Sequence, residues 1–329
     1  MRFLKKDPFL VGLLCAIFLA SVLPCHGAAV PVFHWLSVGL IAVMFFMQGA
    51  RLSRKAVLNG VVAWRLHLLI LSCTFVLFPL MGLAAHALMP GLLLPELWMG
   101  ILFLCCLPST VQSSIAFTSI AGGNVPAAVC AATASNVLGI FITPVLVGLV
   151  LSQHGQLSGN PLDIVFQLLL PFIAGQVLQP WLSAWAHRNK KLLSFSDRGS
   201  ILVVVYAAFS DAVMQGLWHR LPLADLGLVA LADTALLGLV LVLTALLSRV
   251  LGLSRQDEIT VIFCGSKKTL ASGVPMANVL FPAASVGLIV LPLMLYHQIQ
   301  LFVCAVLARR LSHWQSRDTA EAGTVTQDA

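Results

Sequence analysis

Two adjacent lysines, Lys267 and Lys268, stand within a long apolar run, in the stretch Phe263 to Pro282 reading FCGSKKTLASGVPMANVLFP. A lysine near the centre of a bilayer costs roughly 2.5–3.5 kcal/mol on insertion scales, so such a charge points to function. Cys264, Ser266 and Thr269 lie beside them, with Pro275 further on. Pro275 has no amide hydrogen and crowds the carbonyl of Ala271, which predicts an interrupted helix. Interrupted backbone is tolerated at membrane depth only inside protein or beside a water-filled cavity. Neighbouring helix positions lie about 100° apart, so one lysine lines the cavity while the other pairs elsewhere, unless the backbone is unwound. Asp211 and Asp233 are candidate partners. The alternative is that both lysines snorkel to an interface, which a place in the middle of an apolar span makes hard.

A second polar interruption follows Pro108, where Ser109, Thr110, Gln112, Ser113 and Ser114 fall within six residues. Two broken helices meeting near the midplane offer half-helix amino ends to an anion and freed carbonyls to a cation. Each hydroxyl taken singly also fits a bond back to its own helix or packing across to a neighbour. Asn136 either faces this break or makes a structural bond between helices. His297, Gln298 and Gln300 form a further polar cluster, YHQIQ, of which His297 and Gln298 are taken as candidate site residues. Gly122, Gly123, Asn124 and Pro126 read as a tight turn, Asn124 capping the helix that follows. Nowhere does a nucleophile–base pair, a metal-ligand spacing or a phosphate loop occur, and no enzyme is predicted.

The elements that must hold these residues follow from composition. The chain is 59% hydrophobic and 9% charged, with mean hydropathy +0.97. Soluble domains run near 25% charged, so an all-α integral membrane protein is predicted, with no soluble catalytic domain. A bilayer takes about 20 apolar residues per helix. Ten spans fit, over 9–25, 33–50, 66–88, 97–121, 125–151, 162–182, 200–217, 225–250, 257–281 and 284–308. With the amino terminus inside, every Lys and Arg except Arg220, Lys267 and Lys268 falls on a cytoplasmic segment. That is the distribution orientation requires. The net charge of +7 is thereby a matter of topology, and no nucleic-acid partner is implied. The first span mimics a signal peptide through Arg2, Lys5 and Lys6, but the residues around Pro24 and Cys25 make a poor cleavage site, and a retained span is predicted. The eight cysteines read as buried free thiols. Trp35, Trp64, Trp98, Trp181 and Trp218 read as interface anchors.

The predicted transmembrane domain covers 1–310, with a polar, disordered cytoplasmic tail at 311–329. Two five-span halves, about 1–152 and 160–310, place their polar interruptions in corresponding positions. Five spans reverse the sense of the second half, so these would be inverted repeats.

Three stretches carry a family resemblance: RLSRK after the second span, LPSTVQSSIAFTSIAGGNVPAA in the fourth and FCGSKK…GVPMANVLFP in the ninth. They resemble the bile acid:sodium symporter superfamily, in its SBF-like branch. The resemblance covers nearly all of residues 1–310. It implies a bacterial inner-membrane carrier with ten helices in two inverted halves and both termini cytoplasmic. Spans 1, 2, 6 and 7 would form a panel and the rest a core, with helices four and nine crossing. It also implies an organic-anion substrate and sodium as coupling ion. Sodium-coupled relatives carry a glutamate and a glutamine in the ninth helix and a Ser-Asn pair in the fourth. Here the ninth helix offers Cys264, Ser266 and Lys267, and the fourth offers Ser113 and Ser114. Thr74 stands where they carry another glutamine. A sodium site on Ser113, Ser114 and Thr74 would lie beside an ammonium that repels it. The expectation is that a lysine head group has replaced one bound sodium. The reading from a different class is a membrane regulator of ion handling, for example of calcium, without a transport cycle. Monomer and homodimer are both open.

Overall fold

The computed structural model describes residues 8–51, 64–151, 165–216 and 221–325, and every element among them is helical. Arg2, Lys5, Lys6, Arg54, Lys55, Trp218 and Arg220 lie outside the described residues. In chain order the helices are α1 (Pro8–Val22), α2 (Ala29–Arg51) and α3 (Trp64–Leu88), which widens into a π-turn at Cys73–Leu77. They continue with α4 (Pro95–Cys106), α5 (Gln112–Ile120), α6 (Val125–Leu151) and α7 (Leu170–Arg188), preceded by a second π-turn at Val165–Leu169. The last are α8 (Lys190–Met214), α9 (Leu223–Val250), α10 (Arg255–Gly265), α11 (Leu270–Leu280) and α12 (Ala283–Val325).

Six helices among the described residues are long and apolar enough to cross a membrane; they are α2, α3, α6, α8, α9 and α12. The expected fourth and ninth spans are each split into halves of 9 to 12 residues. Where the fourth breaks, Leu107 is extended at φ −77° and ψ 154°. The ring of Pro108 drives the preceding residue out of the helical region. The ninth departs from expectation. Pro275 lies inside the continuous helix α11, and the unwound residues are 266–269. Pro275 sits in the second turn of that helix and removes one bond without ending it. The segment after Leu311 also differs, since α12 continues through it to Val325.

The helices pack into two groups. α1, α2, α7 and α8 pack on one another, while α3 to α6 pack with α9 to α12; α8 touches the second group through α11 and α12. Between α2 and α7 the contact is backbone on backbone. A Cβ on Gly49 would collide with the Phe172 carbonyl oxygen, and one on Gly175 with that of Phe46. Two glycines thus allow the close approach that lipid-embedded helices need, where no hydrophobic difference drives association. α1 seats on α8, with Gly12 facing Leu202 and Leu13 and Ala20 buried.

All eight cysteines are free, but Cys15 is exposed and Cys130 half-buried, so the expectation of wholly buried thiols holds for six. Trp35, Trp64 and Trp181 are exposed, whereas Trp98 is buried with its ring edge-to-face on His86. Its place near a helix end resembled an anchor; packing of α4 under α12 covers it.

Candidate functional site

The two helix breaks meet. Thr269 N–H donates to the Pro108 carbonyl at 3.0 Å, and Ser109 Oγ donates to the Cys264 carbonyl at 2.6 Å. Unwound peptide groups buried this deep must find partners within the protein, and α6 supplies those of the first break. Ser135 Oγ accepts from Ser109 N–H at 3.0 Å, Asn136 Nδ2 donates to the Ser109 carbonyl at 2.5 Å, and Thr143 Oγ1 donates to the Cys106 carbonyl at 2.9 Å. Pro108 fits against Gly139, where a Cβ would lie 2.7 Å from its ring. For the second break the partners come from α12. Tyr296 Oη donates to the Ser266 carbonyl at 2.8 Å. The Gln300 amide clasps the Lys268 peptide from both sides, accepting from its N–H at 2.9 Å and donating to its carbonyl at 2.8 Å.

Both lysines are fully buried, so neither snorkels. With the backbone unwound they part. Lys268 Nζ donates to three main-chain carbonyls, those of Thr74 and Cys105 at 2.8 Å and of Leu107 at 2.7 Å, over the Phe78 ring at 4.0 Å. Its three hydrogens are therefore all used. They close the carbonyl end of α4, where the helix dipole favours a cation, and a carbonyl in the π-turn of α3. Lys267 Nζ has no hydrogen-bond partner. It lies 3.7 Å from the centroid of Phe117 and 5.7 Å from that of Phe263.

Above this crossing, between the two helix groups, is a cavity of about 630 Å3. Thr110, Gln112, Ser113, Asn136, Thr269 and His297 line it, as does Phe117, and Gln48, Arg51 and Asp197 close it from the other group. Arg51 and Asp197 are themselves paired at 2.6 Å. A second cavity of about 360 Å3 lies at the opposite ends of α2 and α8, lined by Cys25, His34, Asp211 and Asn278 among others.

The candidate residues thus divide. Thr110, Gln112, Ser113, Asn136, Thr269 and His297 reach the cavity. Pro108, Ser109, Cys264, Ser266, Lys267 and Lys268 form the crossing beneath it, and Ser114 bonds Thr110 at 3.1 Å from a buried position. Gln298 neither lines the cavity nor bonds to the crossing. It stands two residues, about 200°, from the helix face that carries Tyr296 and Gln300.

Neither aspartate pairs with a lysine. Asp211 lines the far cavity, and Asp233 is buried with no hydrogen-bond partner on either oxygen. Of the expected sodium ligands, Thr74 turns its hydroxyl back onto the Ile70 carbonyl at 2.8 Å. Ser113 and Ser114 bond Thr110, and no hydrogen bond joins them to Thr74. The carbonyl trio that would suit a sodium ion is instead filled by the Lys268 ammonium, so these residues do not fit an added ion there. Asn124 caps α6 as predicted, its Oδ1 accepting from Ala127 N–H at 3.1 Å.

Tyr296, Phe117 and Thr143 were not among the residues the sequence singled out, and Gln300 belonged to the YHQIQ cluster without being placed at the site. The spacing of four between Tyr296 and Gln300 puts both on one helix face, and that spacing could have selected Gln300 over Gln298.

Interrupted helices crossing inside a bundle of apolar helices, beside a polar cavity between two helix groups, define a membrane transport protein. The chain belongs to the SBF-like CPA transporter family, whose profile matches residues 7–313. It is 57% identical to an uncharacterised protein of Pseudomonas aeruginosa over 98% of this chain and 96% of that one. It is 51% identical to YfeH of Escherichia coli K12, named as a candidate symporter, over 92% of each chain. It is 29% identical to sodium/bile acid cotransporter 7 of Mus musculus over 94% of each.

Proposed function

We propose that the protein is a secondary carrier that moves a small organic anion across the bacterial inner membrane by alternating access, with both termini cytoplasmic. The observation that carries this reading is the hydrogen-bonded crossing of two interrupted helices at the base of a polar cavity between two helix groups. The halves repeat one order of elements: two helices, a third, a split helix and a long one, in α1–α6 and again in α7–α12. Corresponding members belong to the same packing group, which supports ten spans in two inverted repeats. The anion is bound by the hydroxyls of Thr110 and Ser113 and the amide of Gln112, with His297 and Thr269 also on the wall. Asn136 spends its amide donors on the Ser109 and Ala132 carbonyls and holds the break in shape.

Lys267 supplies positive charge from behind Phe117, whose ring separates it from the cavity; among the described residues it is the one buried ammonium without a hydrogen-bond partner. Lys268 takes the place of a coupling cation. An ammonium held by three carbonyls satisfies the same dipoles that a sodium ion would, without being released. The test is a thermal-shift screen of the purified protein against organic anions in sodium or choline buffer, followed by flux of each hit in liposomes. A ligand at 100 times its Kd stabilises by about 2.7 kcal/mol. Anion hits indifferent to sodium, and carried across the membrane, are expected. Binding without flux under any imposed gradient would favour a regulator of ion handling and end the carrier reading.

A further inference from the structure

Away from the crossing, charge and apolar surface also meet between α9 and α12. A groove of about 570 Å3 runs between α9 and α12, its walls made by Leu241, Val242, Leu246, Val303 and Val306. Gly238 and Ala245 leave it open where larger side chains would fill it. Arg249, Arg255, Arg310 and Glu258 line one end of it. These sit at the end of α9, the start of α10 and the end of the apolar part of α12, so they form one mouth.

The mouth is built. Glu258, whose side chain is only 6% exposed, accepts from Arg249 Nε and from Arg255 Nη1, each at 2.8 Å. One buried carboxylate thereby fixes two arginines whose side chains remain 63% and 43% exposed. Each guanidinium carries five donors in a rigid fork, so most are left for a further acceptor. Three arginines against one glutamate leave two positive charges at the head of an apolar trough.

A soluble anion would use the mouth and waste the trough, and a neutral lipid would do the reverse. A molecule that uses both has a phosphate at one end and a long acyl chain at the other. Guanidinium forks match phosphate oxygens in pairs, and basic pockets beside transmembrane helices suit acidic headgroups. We propose that this groove binds an anionic phospholipid, its phosphate held by Arg249, Arg255 and Arg310 and one acyl chain laid along α9 and α12. Glu258 opens α10, the half-helix that ends beside the two lysines. Bound lipid therefore braces the crossing from the bilayer side.

The experiment uses full-length protein in neutral detergent, followed by native mass spectrometry and thermal unfolding. Phosphatidylglycerol, phosphatidylcholine with the same chains, and inorganic phosphate are added in parallel. Phosphatidylglycerol is expected to stay bound and raise the unfolding midpoint where phosphatidylcholine does neither. Arg310→Gln breaks no ion pair described here and is expected to weaken retention about fivefold. Arg249→Gln with Arg310→Gln should remove the preference, and Ala245→Phe should weaken retention by filling the trough. Equal effects of the two lipids on the wild type would overturn the proposal. So would a preference untouched in Arg310→Gln and Ala245→Phe together, or a gain from inorganic phosphate that matches the lipid.

Discussion

Lys267 and Lys268 are adjacent and equally buried, yet they do different work. Lys268 saturates its donors on the carbonyls of Thr74, Cys105 and Leu107. Removing it leaves three buried acceptors open, and breaking a buried charged network costs about 3–5 kcal/mol. Lys268→Ala is therefore expected to lower the unfolding midpoint sharply. Because the vacated space is ringed by carbonyl oxygens, sodium chloride should recover part of the loss where choline chloride does not. Lys267 contributes no hydrogen bond. Its contact with Phe117 is worth about 2 kcal/mol when desolvated, and burial of an unpaired charge offsets that. Lys267→Met is expected to leave the midpoint nearly unchanged while abolishing the anion-dependent shift. Equal losses of stability in the two variants, with anion binding kept in Lys267→Met, would contradict the division. Asp233, buried with no side-chain partner for its carboxyl group, is a third titratable side chain at this depth and lies against the backbone of Tyr296.

At the scale of elements, the two breaks were legible in the sequence to different degrees. Pro108 announces its break, because the residue before a proline is driven to extended backbone and the clustered hydroxyls follow at once. The other break has no proline at its seat. It is held by Tyr296 and Gln300, some 30 residues further along the chain, and by the lysine bonds to α3 and α4. Tertiary partners decide it, so local pattern drew attention to Pro275 instead. Most helix positions were legible to within a few residues because apolar length fixes them, but α8 begins at Lys190, ten residues ahead of the expected span, and α12 runs well past its expected end to Val325. What could not be read was which polar residues face the cavity and which lie under it, since that depends on the crossing. Gly139 tests how tightly the first break is set. A methyl there meets the Pro108 ring at 2.7 Å, while a methyl on Gly148, in the same helix, meets nothing within 4 Å. Overpacking costs about 1–3 kcal/mol, and Gly-to-Ala at an open helix site gains up to about 1 kcal/mol. Gly139→Ala should therefore lower the unfolding midpoint and Gly148→Ala hold or raise it. The reverse order would mean that Pro108 is free to move off α6.

For the whole molecule, the relation between the two cavities matters most. They lie at opposite ends of α2 and α8, and the crossing separates them within the second helix group. α2 and α7 are in backbone contact through Gly49 and Gly175, and Arg51 to Asp197 ties α2 to α8. That leaves the contacts of α8 with α11 and α12, together with those of the second π-turn and Phe172 with α6, as the surface that can slide. If one group moves against the other as a unit, opening one cavity closes the other. Cys25, a native thiol on the wall of the smaller cavity, reports this directly. In a Cys15→Ser background with Gln112→Cys added, a bulky maleimide on residue 112 wedges the larger cavity open. The rate at which an impermeant thiol reagent modifies Cys25 from the opposite side should then fall several-fold. A rate unaffected by the wedge would mean that the two cavities open independently, and the helix groups would not be the moving parts.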